Sequence, residues 1–275
     1  MSDVLLLKNR YKTIDNLGAV MRAMLVITAA KSQKAKKKFL YASKYLDEFS
    51  KLLNCVYRKE APQPRADKKN LVIVISSSKG MCGGFNEILF RAVRNHLKLT
   101  YGSHEACLLG RAALKIEKWV GVKIFAKDID AVRNPSFLHI ALIADKIFKW
   151  QRETCGEVFI AYNSYKSMLV QRPNVIKLLP FNGAGSDDYV VEPNSETLYP
   201  MLLLHYLESV IYKCIVESEL GELNARMLVV KGATDSSKDM LNEMRIRMNK
   251  ARQLAITSEL SEIVSSFEAL AQGEE

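Results

Sequence analysis

Apolar residues recur at alternating spacings of three and four along the first part of the chain, which is the period of a helix that buries one narrow stripe. No proline occurs before Pro62, so the pattern predicts one continuous helix of roughly 50 residues. The stripe consists of Leu7, Tyr11, Ile14, Gly18, Met21, Leu25, Thr28, Ser32, Ala35, Phe39, Ala42, Leu46, Phe49, Leu53 and Val56. The segment KEAPQPRADKKN then breaks the pattern, so we expect an N-terminal helix at residues 1–60 and a linker at 61–70.

The pattern changes between residues 71 and 194, where short apolar runs alternate with amphipathic ones. LVIVISS and EACLLG are short enough for buried strands, and FNEILFRAVRNHLKL between them predicts a helix. A second helix is predicted in PSFLHIALIADKIFKW. The run EVFIAYNSYKSMLVQRPNVIKLLPF predicts a strand pair that turns around NSYKS. This alternation favours a small α/β domain with a partly parallel sheet.

A helical period returns at residues 195–275 and predicts one long C-terminal helix. Pro200 falls in or near its first turn, where a missing N–H does little harm. The apolar stripe shifts by one residue near its end; it consists of Leu220, Leu223, Met227, Val230, Thr234, Ser237, Leu241, Met244, Met248, Ala251 and Ala255, then Ile256, Leu260, Ile263, Phe267 and Leu270. Neither terminal helix can bury its stripe alone. We therefore expect both to pair as a long antiparallel two-helix coiled coil around the α/β domain.

The net charge of +10 is unevenly distributed. Residues 1–70 contain 16 Lys and Arg against 6 Asp and Glu, which gives 16 − 6 = +10, and the remainder is neutral at 24 − 24 = 0. The densest run is KSQKAKKKF. Such a run is often an ordinary solvated helix face, but it is also suited to an acidic protein partner, nucleic acid or anionic lipid.

Cysteine usage and hydropathy restrict the compartment. The five cysteines are widely spaced, form no CxxC pair and have no histidine cluster beside them, which is typical of reduced structural thiols and predicts no metal site. The most apolar segment, AVMRAMLVITAA, is shorter than the ~20 residues of a membrane helix and contains Arg22. Asp3 lies where a signal peptide would carry positive charge. We expect no direct membrane insertion and no secretion.

The segment GMCGGFN follows a predicted strand and precedes a predicted helix, as a phosphate-binding turn would. Gly80, Gly83 and Gly84 match neither a dinucleotide fingerprint nor a P-loop, and Lys79 precedes the glycines instead of following them. Backbone freedom in a tight connection explains them, with Cys82 packed as a small apolar side chain. The four histidines are scattered and none has a partner at helical spacing. We expect no catalytic residue and no cofactor.

Three segments carry a resemblance to a known family. ATDSSKDMLNEMRIRMNKARQLAITSELSEIVSS, GMCGGFN, and RAM followed by AAK resemble the γ subunit of bacterial F-type ATP synthase, in order and over essentially the whole chain. The resemblance implies a central rotating stalk that transmits torque between the membrane rotor ring and three catalytic β subunits, is itself non-catalytic, and has a Rossmann-like domain without nucleotide. It implies the α, β and ε subunits and the c-ring as partners, at the cytoplasmic face of the bacterial inner membrane.

The resemblance also implies contact residues. Arg252 and Gln253 in NKARQ match the pair that contacts a loop of a β subunit, where an arginine can make paired hydrogen bonds to carboxylates. Five residues of the N-terminal helix are expected to face the α/β ring, where a lever of β is acidic; they are Arg22, Met24, Lys31, Lys34 and Lys38. Tyr206 and Glu208 are expected near the rotor ring.

Some positions depart from the family pattern. Ser78 and Lys79 replace an acidic residue and an arginine before the glycine turn, so a salt bridge there is lost or rebuilt. Leu25 replaces a glutamate, and Thr28 replaces a smaller residue, which puts the detailed contacts of the first helix in question. Two alternative functions remain open: a small-ligand enzyme built on the α/β domain, and a basic coiled-coil protein that binds nucleic acid or acidic membrane.

Overall fold

The computed structural model describes residues 2–57, 69–115, 122–133, 135–183, 192 and 194–271. The expected linker at 61–70 lies almost entirely outside the described residues. The helices are α1 (Ser2–Val56), α2 (Phe85–Leu99), α3 (Phe137–Thr154) and α4 (Ser195–Ala271). The strands are β1 (Asn70–Ile75), β2 (His104–Leu109), β3 (Lys123–Asp128), β4 (Val158–Tyr165) and β5 (Gln171–Leu179).

The five strands form one sheet in the order β3-β2-β1-β4-β5. Strands β1 to β4 are parallel, and β5 runs antiparallel to β4 after a turn at residues 166–170. The predicted strands, the strand pair and both predicted helices of this segment are therefore confirmed. The turn lies three residues later than predicted, because Asn163, Ser164 and Tyr165 pair with β5. Strand β3 was not predicted. It lies at the sheet edge with most of its side chains partly exposed, and so it lacks the fully apolar pattern of a central strand.

Two apolar layers cover the sheet. Alternate residues of β1 point to opposite faces: Leu71 and Ile73 join a cluster with α3, and Val72 and Val74 join a cluster with α2. Because both faces are covered, every side chain of β1 is buried. This explains why β1 reads in sequence as an unbroken apolar run.

The first part of α4 belongs to the core of the α/β domain. Leu207, Ile211 and Ile215 are fully buried in the cluster that contains the α3 face of the sheet, together with Leu53 of α1. Asn194 begins the helix by accepting a hydrogen bond from the N–H of Thr197 at 2.8 Å. Thus α4 is first a core helix and only later a partner for α1.

The contacts divide the chain into two compact units, one of residues 28–228 and one of residues 1–27 with 229–275. Within residues 28–228, Ser32 Oγ donates to Asn224 Oδ1 at 2.9 Å, and the ring of Phe49 lies 6.5 Å from that of His205. The residue numbers rise in α1 as they fall in α4. The two helices are therefore antiparallel, as predicted.

Residues 1–27 and 229–275 form the second pair of helical segments. Ser237 lies beside Met21, with Oγ and Sδ 3.9 Å apart, and a Cβ on Gly18 would come 3.9 Å from the Ser237 Cβ. Every predicted stripe position of α1, and of α4 up to Ala255, is buried or partly buried. The heptad pattern is thereby confirmed.

The end of α4 departs from the predicted seam. Ile256, Leu260 and Ile263 are 46%, 58% and 65% exposed. Ala255 is the last predicted stripe position that is partly buried among the described residues. The apolar stripe continues beyond the point where α1 can cover it.

The prediction that no segment is long and apolar enough for a membrane helix was wrong by length and composition. Within Leu5–Val56 the helix contains an 18-residue window that is apolar enough, by length and composition, to cross a membrane. Mostly buried core helices and signal sequences pass the same test, and only 11% of this window is buried. The expectation of no direct membrane insertion therefore stays a prediction.

Candidate functional site

The glycine turn between β1 and α2 is held by side chains of α4. The N–H groups of Ser78 and Lys79 donate to the carboxylate of Glu222, to Oε2 at 2.9 Å and to Oε1 at 3.2 Å. Arg226 forms an ion pair with Glu222 and donates from Nε to the carbonyl of Gly80 at 3.0 Å and from Nη2 to that of Lys79 at 3.2 Å. Glu222 and Arg226 are only 1% and 4% exposed. Thus α4 holds the turn through hydrogen bonds to both its backbone N–H groups and its backbone carbonyls.

Local geometry explains the glycines only in part. Gly83 has a positive φ of 58°, which suits a residue without a Cβ, but Met81 takes φ 59° although it has a side chain. Asn86 in the first turn of α2 accepts from the N–H of Ser77 at 2.9 Å and so closes the connection. Cys82 is buried, and burial raises the pKa of its thiol, which disfavours a reactive thiolate.

The departures at Ser78 and Lys79 are accommodated by this arrangement. The turn offers its backbone amides, and Ser78 Oγ adds a further donor to Glu222 at 3.2 Å. The ion pair lies between two residues of α4, one helical turn apart. Glu222 and Arg226 were not predicted, because a Glu–Arg pair at i,i+4 on a helix has no sequence signal that distinguishes a buried pair from an exposed one.

A second carboxylate of α4 engages the end of β4. Glu217 Oε1 accepts from Ser164 Oγ at 2.8 Å and from the N–H of Tyr165 at 2.9 Å, and Lys213 lies 2.5 Å from Glu217 Oε2. Lys213 also lies 5.5 Å from the ring centre of Tyr162. This contact network fixes α4 to a second strand of the sheet.

The predicted ring-contact residues have mostly exposed side chains. Arg252 and Gln253 are exposed on α4 in the unit formed by residues 1–27 and 229–275, where Arg22 is also exposed and Met24 partly buried. The Arg22 guanidinium folds back along α1 to 3.4 Å from the position that a Cβ on Gly18 would take. Three lysines are exposed on α1 within residues 28–228; they are Lys31, Lys34 and Lys38.

The two residues predicted to approach the rotor ring are largely turned inward. Tyr206 packs edge-on against Phe181 at 5.0 Å between ring centres, and burial raises the pKa of its hydroxyl. Glu208 is 6% exposed, and its Oε2 lies 2.7 Å from Nδ1 of His205. This pair is at i,i+3, so the expectation that no histidine has a partner at helical spacing was wrong.

Groups that could hold a metal ion are absent from the residues that the structure describes. His139 and Asp128 form a pair at 2.5 Å, but Asp128 also accepts from the N–H groups of Asp130 and Ala131 after β3, which is the bonding of a loop cap. The described residues therefore provide three candidate features. They are the glycine turn held by Glu222 and Arg226, the exposed polar faces of α1 and α4, and the exposed apolar end of α4.

Known proteins match the chain over nearly its full length. The family model described as ATP synthase matches residues 4–270. The ATP synthase gamma chain of Buchnera aphidicola subsp. Melaphis rhois is 34% identical and covers 98% of this chain and 99% of its own. The ATP synthase gamma chain of Glaesserella parasuis serovar 5 is 31% identical, covering 96% and 98%.

Solved structures match the fold. A chain of the Euglena gracilis mitochondrial ATP synthase, from a structure of its OSCP, F1 and c-ring in rotational state 3, aligns with a TM-score of 0.69 and 15% identity. It covers 100% of this chain and 96% of that one. A chain from the Tetrahymena thermophila mitochondrial central stalk and c-ring aligns with a TM-score of 0.59 and 19% identity, covering 78% and 99%.

Two long terminal helices around a mixed α/β sheet are the fold that this chain shares with the two matched chains. The chain belongs to the ATP synthase gamma-chain family.

Proposed function

We propose that the chain is the central rotating stalk of an F-type proton-translocating ATP synthase and carries torque between the membrane rotor ring and three catalytic β subunits. The observation that carries this proposal is the near full-length similarity to bacterial gamma chains. The chain itself is non-catalytic, because its task is mechanical. A rotor needs only to contact the states of the catalytic subunits with different free energies.

The exposed apolar stripe at the end of α4 supports a position of this helix end inside a ring of α and β subunits. Soluble monomeric proteins rarely expose a large continuous apolar surface, and such a surface usually marks an interaction site. Five large apolar side chains near the end of α4 are at least 46% exposed; they are Leu254, Ile256, Leu260, Ile263 and Val264. A surrounding apolar bearing surface would bury them.

Arg252 and Gln253 lie beside this stripe in sequence and are assigned to polar contacts with a loop of a β subunit. A guanidinium can donate two parallel hydrogen bonds to one carboxylate, and such charge-assisted bonds are short and strong. Arg22 and Met24 of α1 are assigned to the same ring.

The lysines of α1 are assigned to the acidic lever of β. Lys31, Lys34 and Lys38 are exposed and lie at spacings of three and four, so they share one face of the helix. Exposed pairs are each weak, so the lysines act together and none is essential alone.

The remaining partners are the ε subunit and the c-ring, at the cytoplasmic face of the bacterial inner membrane. The named relatives at 31% and 34% identity are bacterial. Tyr206 and Glu208 stay as the candidate rotor-ring contacts, although Glu208 would first have to leave His205. Neither nucleic-acid binding nor a small-ligand enzyme activity is favoured by a specific observation.

The double variant Arg252→Ala/Gln253→Ala in the reconstituted complex tests the proposal. We expect ATP-driven turnover to fall by about tenfold, the effect of losing roughly 1.5 kcal/mol of charge-assisted hydrogen bonding in the rate-limiting step of rotation, and torque to fall with it by a smaller factor. Single-molecule rotation and ATPase assays measure both quantities. The control is Lys149→Ala, which alters an exposed ion pair on α3.

Unchanged torque and turnover in the double variant would remove these two residues from the mechanism. The wider proposal is tested by a tag on this chain. An F-type complex should co-purify with the tag, and its absence from the purified material would overturn the stalk assignment.

A further inference from the structure

The crevice between β1 and β4 is where an open parallel sheet usually binds a ligand. β1 and β4 are adjacent and parallel; the chain leaves β1 through α2 on one face and reaches β4 from α3 on the other. The order of the strands reverses at this point, and ligands of such folds bind outside the carboxyl ends of the two strands. The glycine turn after β1 and Tyr165 at the end of β4 form this edge.

A carboxylate of α4 stands at each of these strand ends. Glu222 receives the N–H groups of Ser78 and Lys79, and Glu217 receives the N–H of Tyr165. Successive backbone N–H groups that converge on one oxygen-bearing group form an anion-binding concavity, of the kind that holds phosphates. Here the bound anion is a side chain of the same protein.

The groups around Glu222 compensate its negative charge as they would that of a bound anion. A carboxylate that is 1% exposed is costly to bury unless it is paired and fully hydrogen-bonded. Arg226 supplies the counter-charge, and Ser78 supplies a hydroxyl donor in addition to its amide. Arg226 also donates to the carbonyls of Lys79 and Gly80, so the ion pair and the turn hold each other in place.

We propose that Glu222 is an internal ligand: it fills the anion position that the sheet offers after β1, closes that position to phosphate-bearing molecules, and fixes α4 to the sheet. This role does not depend on rotation, because all the contacts lie within residues 28–228. The vacated position in a Glu222→Ala variant has the donors to take a small oxyanion such as acetate or inorganic phosphate.

Hydrogen–deuterium exchange on the full chain tests the proposal. In Glu222→Ala, exchange within residues 77–80 should rise at least tenfold at the amides of Ser78 and Lys79, which donate to Glu222, while β1 and β2 stay protected. Added acetate, or phosphate in a second series, should restore the protection with a saturable concentration dependence. Sodium chloride at matched ionic strength should not.

The matched control is Glu243→Ala. Glu243 and Arg247 form the same i,i+4 pair on the same helix, but both are more than half exposed, at 61% and 65%. This change should leave the exchange of residues 77–80 as it is in the wild type.

Two results would overturn the proposal. One is unchanged exchange of residues 77–80 in Glu222→Ala; the other is rescue by chloride equal to that by acetate. If Glu222→Ala also loses the protection of β1 and β2, the shape-preserving Glu222→Gln decides: faster exchange confined to residues 77–80 supports the internal ligand, and exchange at the wild-type rate overturns it.

Discussion

Glu219 of α4 is an acidic residue whose acid–base chemistry the fold changes strongly. Burial is the largest cause that raises the pKa of its carboxyl to about 7; Lys38 and Lys31 oppose the shift, and the nearby carboxylate of Glu222 adds to it. Its Oε2 is buried without a hydrogen-bond partner in the described part of the chain. The sequence shows only one more acidic residue on a long helix, because burial depends on the packing of α1 against α4.

This shift predicts a pH dependence of stability. The folded chain keeps a proton on Glu219 between the unfolded pKa, about 4.3, and the folded pKa near 7, so the free energy of unfolding falls as pH rises through that window. Glu219→Gln removes the titration and should make the chain more stable than the wild type at pH 8, by at most about 4 kcal/mol at ~1.4 kcal/mol per pKa unit. Urea unfolding at pH 5, 6, 7 and 8 measures the difference.

Glu243→Gln is the control for this experiment, because Glu243 is exposed. It should leave the shape of the pH curve unchanged. A Glu219→Gln chain that follows the wild-type curve at every pH would contradict the assignment of the shift to burial.

At the scale of elements, the two glycines of α4 differ in how closely neighbouring elements approach the helix. A Cβ at Gly221 would lie 3.2 Å from Gln171 Cγ and 3.2 Å from Phe85 Cε2, so β5 and α2 approach the helix closely there. A Cβ at Gly232 would have no neighbour within 4 Å. Both glycines look alike in sequence, as weak helix breakers.

Alanine at the two positions should therefore have different effects. Gly232→Ala should stabilise the chain by about 0.5–1 kcal/mol, because alanine loses less conformational entropy in a helix. In Gly221→Ala the same gain is offset by the displacement of Phe85 and Gln171, so we expect little change or a loss of stability. Thermal unfolding followed by circular dichroism measures both, and equal stabilisation by the two variants would contradict the close approach at Gly221.

At the scale of the whole molecule, charge is separated along the chain. The excess of +10 lies within residues 1–70, and the rest of the chain is neutral. The lysines of α1 that contribute to it are exposed. Such a field attracts an acidic partner over a range that salt shortens to about 8–10 Å at physiological ionic strength.

The charge distribution predicts how assembly depends on salt. Changing Lys31, Lys34 and Lys38 together to Gln should weaken association with the α/β ring about tenfold at low salt, and each single change less than about threefold, because exposed ion pairs contribute ~0.2–1 kcal/mol each. The triple variant should also show a flatter salt dependence. Binding kinetics at several salt concentrations test this.

The matched control replaces three exposed lysines of the α/β segment, Lys98, Lys127 and Lys149, with Gln. It removes the same charge from a different surface. An equal loss of association in the control would show that net charge, and not the face of α1, governs assembly.

Periodicity allowed much of the fold to be predicted. The seams of α1 and α4, the bounds of α2 and the strands β1, β2, β4 and β5 follow from local spacing of apolar residues, which a chain expresses whatever it packs against. Edge strand β3 was missed because its partly exposed side chains depend on having one neighbouring strand instead of two. The exposed contact residues such as Arg252 and Lys34 came from a family resemblance and stay predictions.

The sequence by itself determined the long helices, α2, α3 and the strands β1, β2, β4 and β5, the stripe that α1 and α4 bury up to Ala255, and where the positive charge lies, because these are properties of neighbouring residues. Only the tertiary structure decided that Glu222 and Arg226 hold the glycine turn, that Glu219 is partly buried with its Oε2 enclosed, and that the end of the α4 stripe is exposed. Each of these brings together residues far apart in the chain, such as Ser78 and Glu222. Their energies depend on burial and on distance in space, which residue spacing does not encode.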